Sequence, residues 1–406
     1  MKIFQILALA GALAALSAPR AAGQIDFSTI YTFDGSEAFG LTAANGVLYS
    51  VGAEGNCSAI IALRPPATPG GEWTQATVYE FTGLNGGACG PEGPPAVAAD
   101  GKMYGVASNG GAYRWGAVYE LRPPGAPGGA WTERVLYSFP TITIPLGLII
   151  GPDGALYVGC SDGGADGGGF LLKLQPPATA GGTWAGSVLF NFPGGLGLGG
   201  PTSLIAGPNG VFYGTIGFGG RAPMYAGAIF EIAPPAAPGG DWAETVLCHF
   251  HGSGDGSTPN SLTLASDGTL YGTTFGTADY DDRHGPYGVG TAFQLTPPAS
   301  PGAHWTRTIL AQLGVGDGRG PNSPLILRNG NLYGTTSSGA SDPGGVVYEL
   351  RPPASPGGAW TTTYLHSFDG TVPGFPLFMD GNGALYGTTQ APYSAPLRGT
   401  VYKIEP

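Results

Sequence analysis

The stretch "SDGTLYGTT" (Ser266–Thr274) places an Asp-Gly dipeptide directly before a run of β-branched and aromatic residues. Asp-Gly or Asn-Gly between strand-like runs is the strongest local indication of a β-hairpin, because Gly and Asx residues tolerate the positive φ of a two-residue turn. The dipeptide recurs shortly before an apolar residue and a tyrosine. The sequence therefore predicts seven hairpins, at Asn45-Gly46, Asp100-Gly101, Asp153-Gly154, Asn209-Gly210, Asp267-Gly268, Asn329-Gly330 and Asn382-Gly383.

The tyrosines that follow these turns lie 53 to 62 residues apart, at Tyr49, Tyr104, Tyr157, Tyr213, Tyr271, Tyr333 and Tyr386. So regular a period indicates a repeat architecture. Each repeat divides into four strand-length runs, called A to D, which in the fifth repeat read "NSLTLAS", "TLYGTTF", "TAFQLTPP" and "WTRTILAQL". Gly, Pro, Asn or Asp residues bound every run, as expected for short antiparallel strands.

The link from run C to run D is nearly constant and always ends in tryptophan. Pro-Pro is followed by small residues and then by Trp73, Trp131, Trp184, Trp242, Trp305 or Trp360. Prolines remove ladder donors and glycines allow a sharp bend, so the link is predicted to be a rigid corner. A tryptophan repeated at one scaffold position indicates packing more than a carbohydrate-binding platform.

Seven hairpins but only six Trp corners are present, because the last repeat stops after run C. The missing run D is found near the start of the chain, where "TIYTF" (29–33) matches "VLYSF" (135–139) and "YLHSF" (364–368). A strand shared between the two ends of the chain would close a ring and remove its exposed edges. We predict an all-β, seven-bladed β-propeller with four-stranded blades, forming one domain over residues 24–406. An open β-solenoid is the alternative.

Residues 1–23 have a short basic start, an apolar run and small residues before position 24, which is typical of a secretory signal peptide. The composition of 75 Gly and 38 Pro leaves little room for long helices, and the net charge of −11 disfavours nucleic acid and anionic membranes as partners. We expect a secreted or periplasmic monomer with no membrane span once the signal peptide is removed.

The succession of "YSF", "LYGTT", a Gly-rich segment and "VYEL" or "VYKI" resembles the GloVer (Gloeo/Verruco) tandem-repeat family of secreted or surface-anchored bacterial proteins. The resemblance covers essentially the whole chain after the signal peptide. Repeats four to seven match best, whereas "LYSVG", "MYGVA" and "LYVGC" depart from the pattern. The resemblance implies fold and location, and it brings no catalytic residues.

Functional residues are expected in the parts of the sequence that differ between repeats. In a four-stranded blade the B-to-C and D-to-A links share one face of the ring, and these links differ in length here, whereas the links on the opposite face are constant. Variable loops on a rigid scaffold usually carry binding residues. Aromatic and basic residues that could contact a sugar are Phe218, Arg221, Tyr225, Tyr280 and Tyr287. The alternative is that the tyrosines only cover the blade beneath them.

Two groups of loop residues suggest metal ligands. Asp279, Asp281 and Asp282 could hold Ca²⁺, although their spacing does not fit the twelve-residue Ca²⁺ loop and a solvated charged loop is the simpler interpretation. Alternation along a strand puts His249 and His251 on one face near Asp255, as a transition-metal site would require. Surface histidines are the alternative there, so no cofactor is firmly implied.

The A runs should line the central channel, and none contains His, Asp, Glu, Lys or Cys. We therefore identify no catalytic residue and expect no acid, base or metal ligand in the channel wall. The four cysteines allow three complete pairings. Cys57 in the first B-to-C link and Cys89 in the next D-to-A link share a face, which predicts a disulfide between them. Cys160 and Cys248 are predicted to be buried thiols.

These observations favour an exported binding or interaction module whose ligand is a glycan or a surface protein. A carbohydrate-active enzyme, a hydrolase or lyase with its site in the variable loops, is the competing class, and a purely structural envelope protein is a third. Turnover separates the first two, because a binding module leaves its ligand chemically unchanged.

Overall fold

A computed structural model describes most of the chain from residue 25 onward. The described residues are 25–34, 38–52, 55–68, 70–126, 128–179, 181–194, 200–217, 226–237, 239–252, 254–276, 290–300, 303–313, 319–338, 344–355, 357–374, 376–390 and 399–406. They form seven antiparallel sheets in a ring, with two short 3-10 turns at Leu84–Gly86 and Pro208–Gly210. The prediction of an all-β, seven-bladed propeller is confirmed.

Each blade consists of strands A to D in chain order from the channel outward. The A strands, three of which are split, are β2 Ala38–Ala44, β6 Ala88–Pro91 with β7 Ala96–Val97, β11 Pro145–Ile150, β15 Ser203–Ala206, β19 Ser257–Leu264, β23 Arg319–Pro321 with β24 Ile326–Arg328, and β28 Val372–Pro373 with β29 Phe378–Met379. The B strands are β3 Val47–Gly52, β8 Met103–Gly110, β12 Leu156–Cys160, β16 Phe212–Ile216, β20 Leu270–Gly276, β25 Asn331–Ser338 and β30 Leu385–Gln390.

The two outer strands of each blade carry the repeated "VYEL"-type run and the run after the Trp corner. The C strands are β4 Ala59–Arg64, β9 Ala117–Arg122, β13 Phe170–Gln175, β17 Ala228–Ala233, β21 Gly290–Thr296, β26 Val346–Arg351 and β31 Thr400–Glu405. The D strands are β5 Thr74–Glu80, β10 Thr132–Ser138, β14 Ala185–Asn191, β18 Ala243–His249, β22 Thr306–Leu313, β27 Thr361–Ser367 and, for blade 7, β1 Asp26–Thr32.

The ring is closed by the N-terminal strand. Strand β1 pairs antiparallel with β31, from Asp26 opposite Glu405 to Thr32 opposite Thr400. The pairing continues beyond the strands, where the Phe33 amide donates to the Gly399 carbonyl at 2.9 Å. Phe33 is buried in the core between blades 7 and 1. The strand missing from the last repeat is thus supplied by the other end of the described chain, as predicted.

The corner tryptophans are packing residues. Each precedes a D strand and lies against the preceding blade: the ring of Trp184 is 6.0 Å from that of Tyr104, and the ring of Trp305 is 6.1 Å from that of Tyr213. Blade 7 has Ile25 directly before its D strand, and Ile25 packs against the cluster that contains Tyr333 of blade 6. Ile25 therefore occupies the tryptophan position of the seventh blade.

The prediction of seven identical two-residue turns is wrong in four blades. Both dipeptide residues have positive φ only at Asn45-Gly46, Asn209-Gly210 and Asn329-Gly330. In the other four, Gly alone has positive φ and the turn is one residue longer. In three of those turns the Asp accepts the amide two residues on, as Asp267 does from Thr269 at 3.0 Å. The Asp side chain thus stabilises a different turn, because it bonds to nearby backbone.

Candidate functional site

A cavity lies at the centre of the ring, lined by inner-strand residues. Its volume is about 700 Å³, and blades 7, 1, 2 and 3 all contribute to its wall. Each A strand begins at a D-to-A link. Its first residues therefore lie near the face of the ring that carries the variable links, which we call the loop face. The wall includes Phe39 at the start of β2, Ser58 just before β4, and Gln390 at the end of β30. The cavity is therefore the channel mouth on the loop face.

The wall of this channel mouth is mainly apolar but contains one carboxylate. Apolar side chains come from Phe39, Leu41, Val106, Leu146 and Leu148, and the acidic residue is Glu92. Phe39 is 37% exposed, so its ring is open to a ligand.

Glu92 corrects the prediction that the channel wall carries no acid. From the sequence, the A run of the second repeat is "PAVAA" (95–99). The structure instead starts this strand at Ala88, interrupts it after Pro91 and resumes it at Ala96. The residues Glu92–Pro95 bulge between the two segments because consecutive prolines cannot donate to the ladder. Alignment of "PEG" with "PTS" and "PNS" of later repeats would have placed Glu92 in the channel.

Exposed aromatic side chains also lie on the loop face of blade 2. Tyr113 and Trp115, between β8 and β9, are 58% and 45% exposed, and Leu84 in the preceding D-to-A link is 69% exposed. The two links meet through their backbones, since the Gly111 amide donates to the Gly87 carbonyl at 2.9 Å. Sequence reasoning missed these residues because it concentrated on the longest B-to-C link.

The loop residues predicted to bind a ligand or a metal lie outside the described residues. These are Phe218, Arg221, Tyr225, Asp279, Tyr280, Asp281, Asp282 and Tyr287. The predictions for a sugar site and for Ca²⁺ at these positions remain predictions. Within the described ranges, no group of three or more His, Cys, Asp or Glu side chains is arranged to hold a metal ion.

The residues proposed as a transition-metal site are occupied by an ion-pair network. Asp255 accepts the Nη2 hydrogen of Arg307 at 2.5 Å and lies 3.2 Å from Nδ1 of His251. Arg307 also donates from Nη1 to the His249 carbonyl at 2.8 Å, and its guanidinium stacks over Phe250. Because Arg307 belongs to β22 of the next blade, its ion pair with Asp255 joins blades 4 and 5.

A disulfide joins Cys57 to Cys89, with an S–S distance of 2.04 Å. This is the pairing that the sequence predicts, although Cys89 lies in strand β6 and not in a D-to-A link. The bond ties blade 1 to blade 2 at the edge of the loop face. Cys160 is a buried thiol, and burial raises its pKa. Cys248 is only half-buried, which differs from the predicted buried thiol, and Arg307 Nη1 lies 3.2 Å from its sulfur.

Next to the channel, Tyr104 and Glu120 form a cross-strand pair. The Tyr104 hydroxyl donates to Glu120 Oε2 at 3.2 Å, and Arg122 pairs with the other oxygen. Burial, together with the Glu120 charge, raises the pKa of Tyr104. The same Tyr-Glu pair recurs in blade 6 between Tyr333 and Glu349 at 2.9 Å, which identifies it as a repeated element of the scaffold.

The fold is similar to that of several solved structures at low sequence identity. An ulvan lyase, a polysaccharide lyase, is 10% identical with a TM-score of 0.52, and the match covers 90% of this chain and 94% of that one. The extracellular domain of a B. thetaiotaomicron protein described as a one-component system is 12% identical with a TM-score of 0.52, covering 92% and 39%. A glucose dehydrogenase is 13% identical with a TM-score of 0.41, covering 94% and 99%. The likenesses to the ulvan lyase and to the extracellular domain show the fold alone.

No curated protein matches the sequence closely enough to count as a relative. Among the described residues no helix is long and apolar enough to cross a membrane. The sequence profile of the Gloeobacter/Verrucomicrobia repeat, in contrast, matches residues 43–283 and 200–406, which together span most of the propeller. The resemblance seen in the repeated "LYGTT" and "VYEL" runs is thereby confirmed, and the chain belongs to the Gloeobacter/Verrucomicrobia repeat family.

Proposed function

We propose that the protein is an exported binding module that takes a glycan at the channel mouth on the loop face. The observation that carries the proposal is the cavity of about 700 Å³ with the exposed Phe39 ring in its wall. Ligand pockets are typically concave, mostly apolar and provided with a few polar groups, and this cavity has that composition. Surface protein is the other ligand class that the sequence leaves open.

Three further features support the proposal. Tyr113 and Trp115 are exposed on the same face, where large amphipathic rings can stack on sugar rings. The scaffold beneath is rigid, because every blade packs on the next and the disulfide ties blades 1 and 2 together. A disulfide is typical of exported proteins, in agreement with the predicted signal peptide.

The test is incubation of the purified protein with a panel of soluble and insoluble bacterial and plant polysaccharides. Both co-sedimentation and the release of shorter sugars are measured. Binding that is weakened by Phe39→Ala or Trp115→Ala, without release of products, supports the module. A matched control is Tyr364→Ala, which removes an equally exposed aromatic ring from the outer strand of blade 6.

Release of shorter sugars would instead support the carbohydrate-active enzyme. It would overturn the binding module, which is proposed to leave its ligand chemically unchanged. Binding to none of the polysaccharides would overturn the glycan as ligand.

A further inference from the structure

The residue that follows the inner-strand proline has a defined structural role in blades 4, 5 and 6. These residues are Thr202, Asn260 and Asn322, and we call their place in the repeat the bridge position. Asn260 Oδ1 accepts the Thr273 hydroxyl of its own blade at 2.7 Å, and its Nδ2 donates to the Pro321 carbonyl of the next blade at 2.6 Å. The side chain therefore links strand B of one blade to strand A of the following blade.

The other two blades repeat this arrangement. Asn322 accepts the Thr335 hydroxyl at 2.7 Å and donates to the Pro373 carbonyl at 3.3 Å. Thr202 shares a hydrogen bond of 2.9 Å with the Thr215 hydroxyl and donates to the Pro259 carbonyl at 3.3 Å. At all three places the side chain is both a donor and an acceptor.

In blade 2 the bridge position is occupied by Glu92. Its amide donates to the Val106 carbonyl at 3.0 Å, just as the Thr202 amide donates to Thr215 at 2.7 Å and the Asn322 amide to Thr335 at 3.2 Å. The backbone of Glu92 is therefore equivalent to that of the other bridge residues, but its side chain has a different hydrogen-bonding capacity. The partner threonine is replaced by Val106, and an ionised carboxylate cannot donate to the carbonyl of the next blade.

Blade 2 thus lacks an inter-blade bridge that three other blades have, and it carries a negative charge in the channel mouth instead. Within the described part of the chain, no residue hydrogen-bonds or ion-pairs with the Glu92 side chain. Glu92 shares the cavity wall with the apolar residues Val106, Leu146 and Leu148, and its carboxylate is free to bind a cation supplied by a ligand.

We propose that Glu92 makes the channel mouth selective for glycans with free amino groups, by pairing with the ammonium of an amino sugar. This inference rests on the proposed function and names the class of glycan. The exposed Phe39 ring, in the wall of the same cavity, offers a flat face for the sugar. The net charge of −11 attracts a cationic ligand and repels an acidic one.

The experiment is calorimetric titration of the full chain with two matched probes, short oligomers of glucosamine and of N-acetylglucosamine, at mildly acidic pH. We expect the glucosamine oligomers to bind and the acetylated ones to bind at least about tenfold more weakly, because a charge-assisted hydrogen bond is lost. Glu92→Gln should abolish that preference. The control is Glu72→Gln, which removes the same charge from an exposed corner on the opposite face.

A second pair of variants separates ligand binding from stability. Glu92→Asn with Val106→Thr installs the bridge of blades 5 and 6, so it should raise the melting temperature by a few degrees while removing the preference for free amines. The reverse exchange, Asn260→Glu with Thr273→Val, should lower the melting temperature. A double variant that keeps the amine preference would overturn the proposal.

The outcomes distinguish this inference from the proposed function. If the acetylated oligomers bind as well as the free amines, the role of Glu92 is refuted but the glycan module survives. If Glu72→Gln weakens amine binding as much as Glu92→Gln does, the attraction comes from net charge and the inference is refuted. If neither oligomer binds while another polysaccharide does, only the inference fails, and if no polysaccharide binds, both fail.

Discussion

Gly334 lies directly opposite Tyr348 in the sheet of blade 6, and a Cβ added to Gly334 would stand 2.6 Å from the Tyr348 hydroxyl oxygen. The same pairing of Gly with an aromatic ring occurs in blades 2, 4, 5 and 7, which explains why the repeat reads "YG" on strand B and "VY", "IF" or "AF" on strand C. The two blades that depart from the motif change both partners. They pair Ser50 with Ile61 and Val158 with Leu172.

We predict that Gly334→Val destabilises the protein by about 1–3 kcal/mol or more, because the added methyls overpack a buried site. Adding Tyr348→Leu, which creates the Val-Leu pair of blade 3, should recover a large part of that loss. Denaturant unfolding of both single variants and the double variant measures the coupling. Gly125→Ala is the control, since nothing lies within 4 Å of its Cβ position. Additive effects would show that the two residues do not depend on each other.

Tyr348→Phe should leave stability unchanged or raise it by about 1 kcal/mol. The Tyr348 hydroxyl is buried and has no hydrogen-bond partner among the described residues, and an unsatisfied buried hydroxyl is unfavourable. Blades 4 and 5 already carry Phe230 and Phe293 at the equivalent position. Thermal unfolding of the variant tests this, and a clear loss of stability would reveal a partner for the hydroxyl.

Deleting residues 25–33 should cost well over 3 kcal/mol, because the loss of buried Phe33 alone is worth about that much. The deletion also exposes the edge of β31, so the variant should aggregate as it unfolds. Thermal unfolding with light scattering is the measurement. A chain that lacks only residues 1–24 is the control, and a deletion variant that melts at the control temperature would contradict ring closure by β1.

Replacing Cys57 and Cys89 with Ala should lower stability by about 3–4 kcal/mol, since the bond closes a separation of 32 residues in the unfolded chain. In the unmodified protein, thiol counting under denaturing, non-reducing conditions should find two thiols, from Cys160 and Cys248. Four thiols would refute the bond. In the native protein Cys248 should react before Cys160, whose pKa is raised by burial.

Glu244→Gln should raise the melting temperature at neutral pH and lose this advantage in acid. Burial raises the pKa of Glu244 above its ordinary value of 4.5, and its Oε1 has no partner among the described residues. A carboxyl with a raised folded-state pKa contributes stability below its unfolded pKa, and that contribution is lost as pH rises through the folded pKa. Melting curves from about pH 4 to pH 7 test this, with Glu72→Gln as the control.

The fold could be predicted from the sequence because the same pattern of turns and strands recurs in every repeat. The Asx-Gly turns indicate the hairpins, the Trp corners mark the repeats, and the missing last D run indicates the ring. Small errors at single turns do not affect this result. The exact turn type could not be predicted, because the same sequence context gives different turns: Asn329 itself adopts positive φ, whereas Asp267 does not and accepts the Thr269 amide with its side chain.

The site was harder to predict because it depends on departures from the repeat. The bounds of the A strands were misjudged where prolines split them, so Glu92 was left outside the channel. The exposure of Trp115 depends on how the links of blades 1 and 2 meet. The residues next to Trp115 in the sequence do not indicate that contact. A comparison of repeats position by position would have identified Glu92 but not Trp115.

Ring closure by β1 and β31 also determines when folding of the protein can be completed. The two strands are far apart along the chain, so β1 can pair with β31 only after β31 has been synthesised. Blade 7 therefore cannot form until then. Contacts of such long range are slow to form. Until then, both the N-terminal strand and the edge of β31 are open to pairing with other chains, and we expect a high local concentration of the protein to favour strand exchange between copies at this one seam.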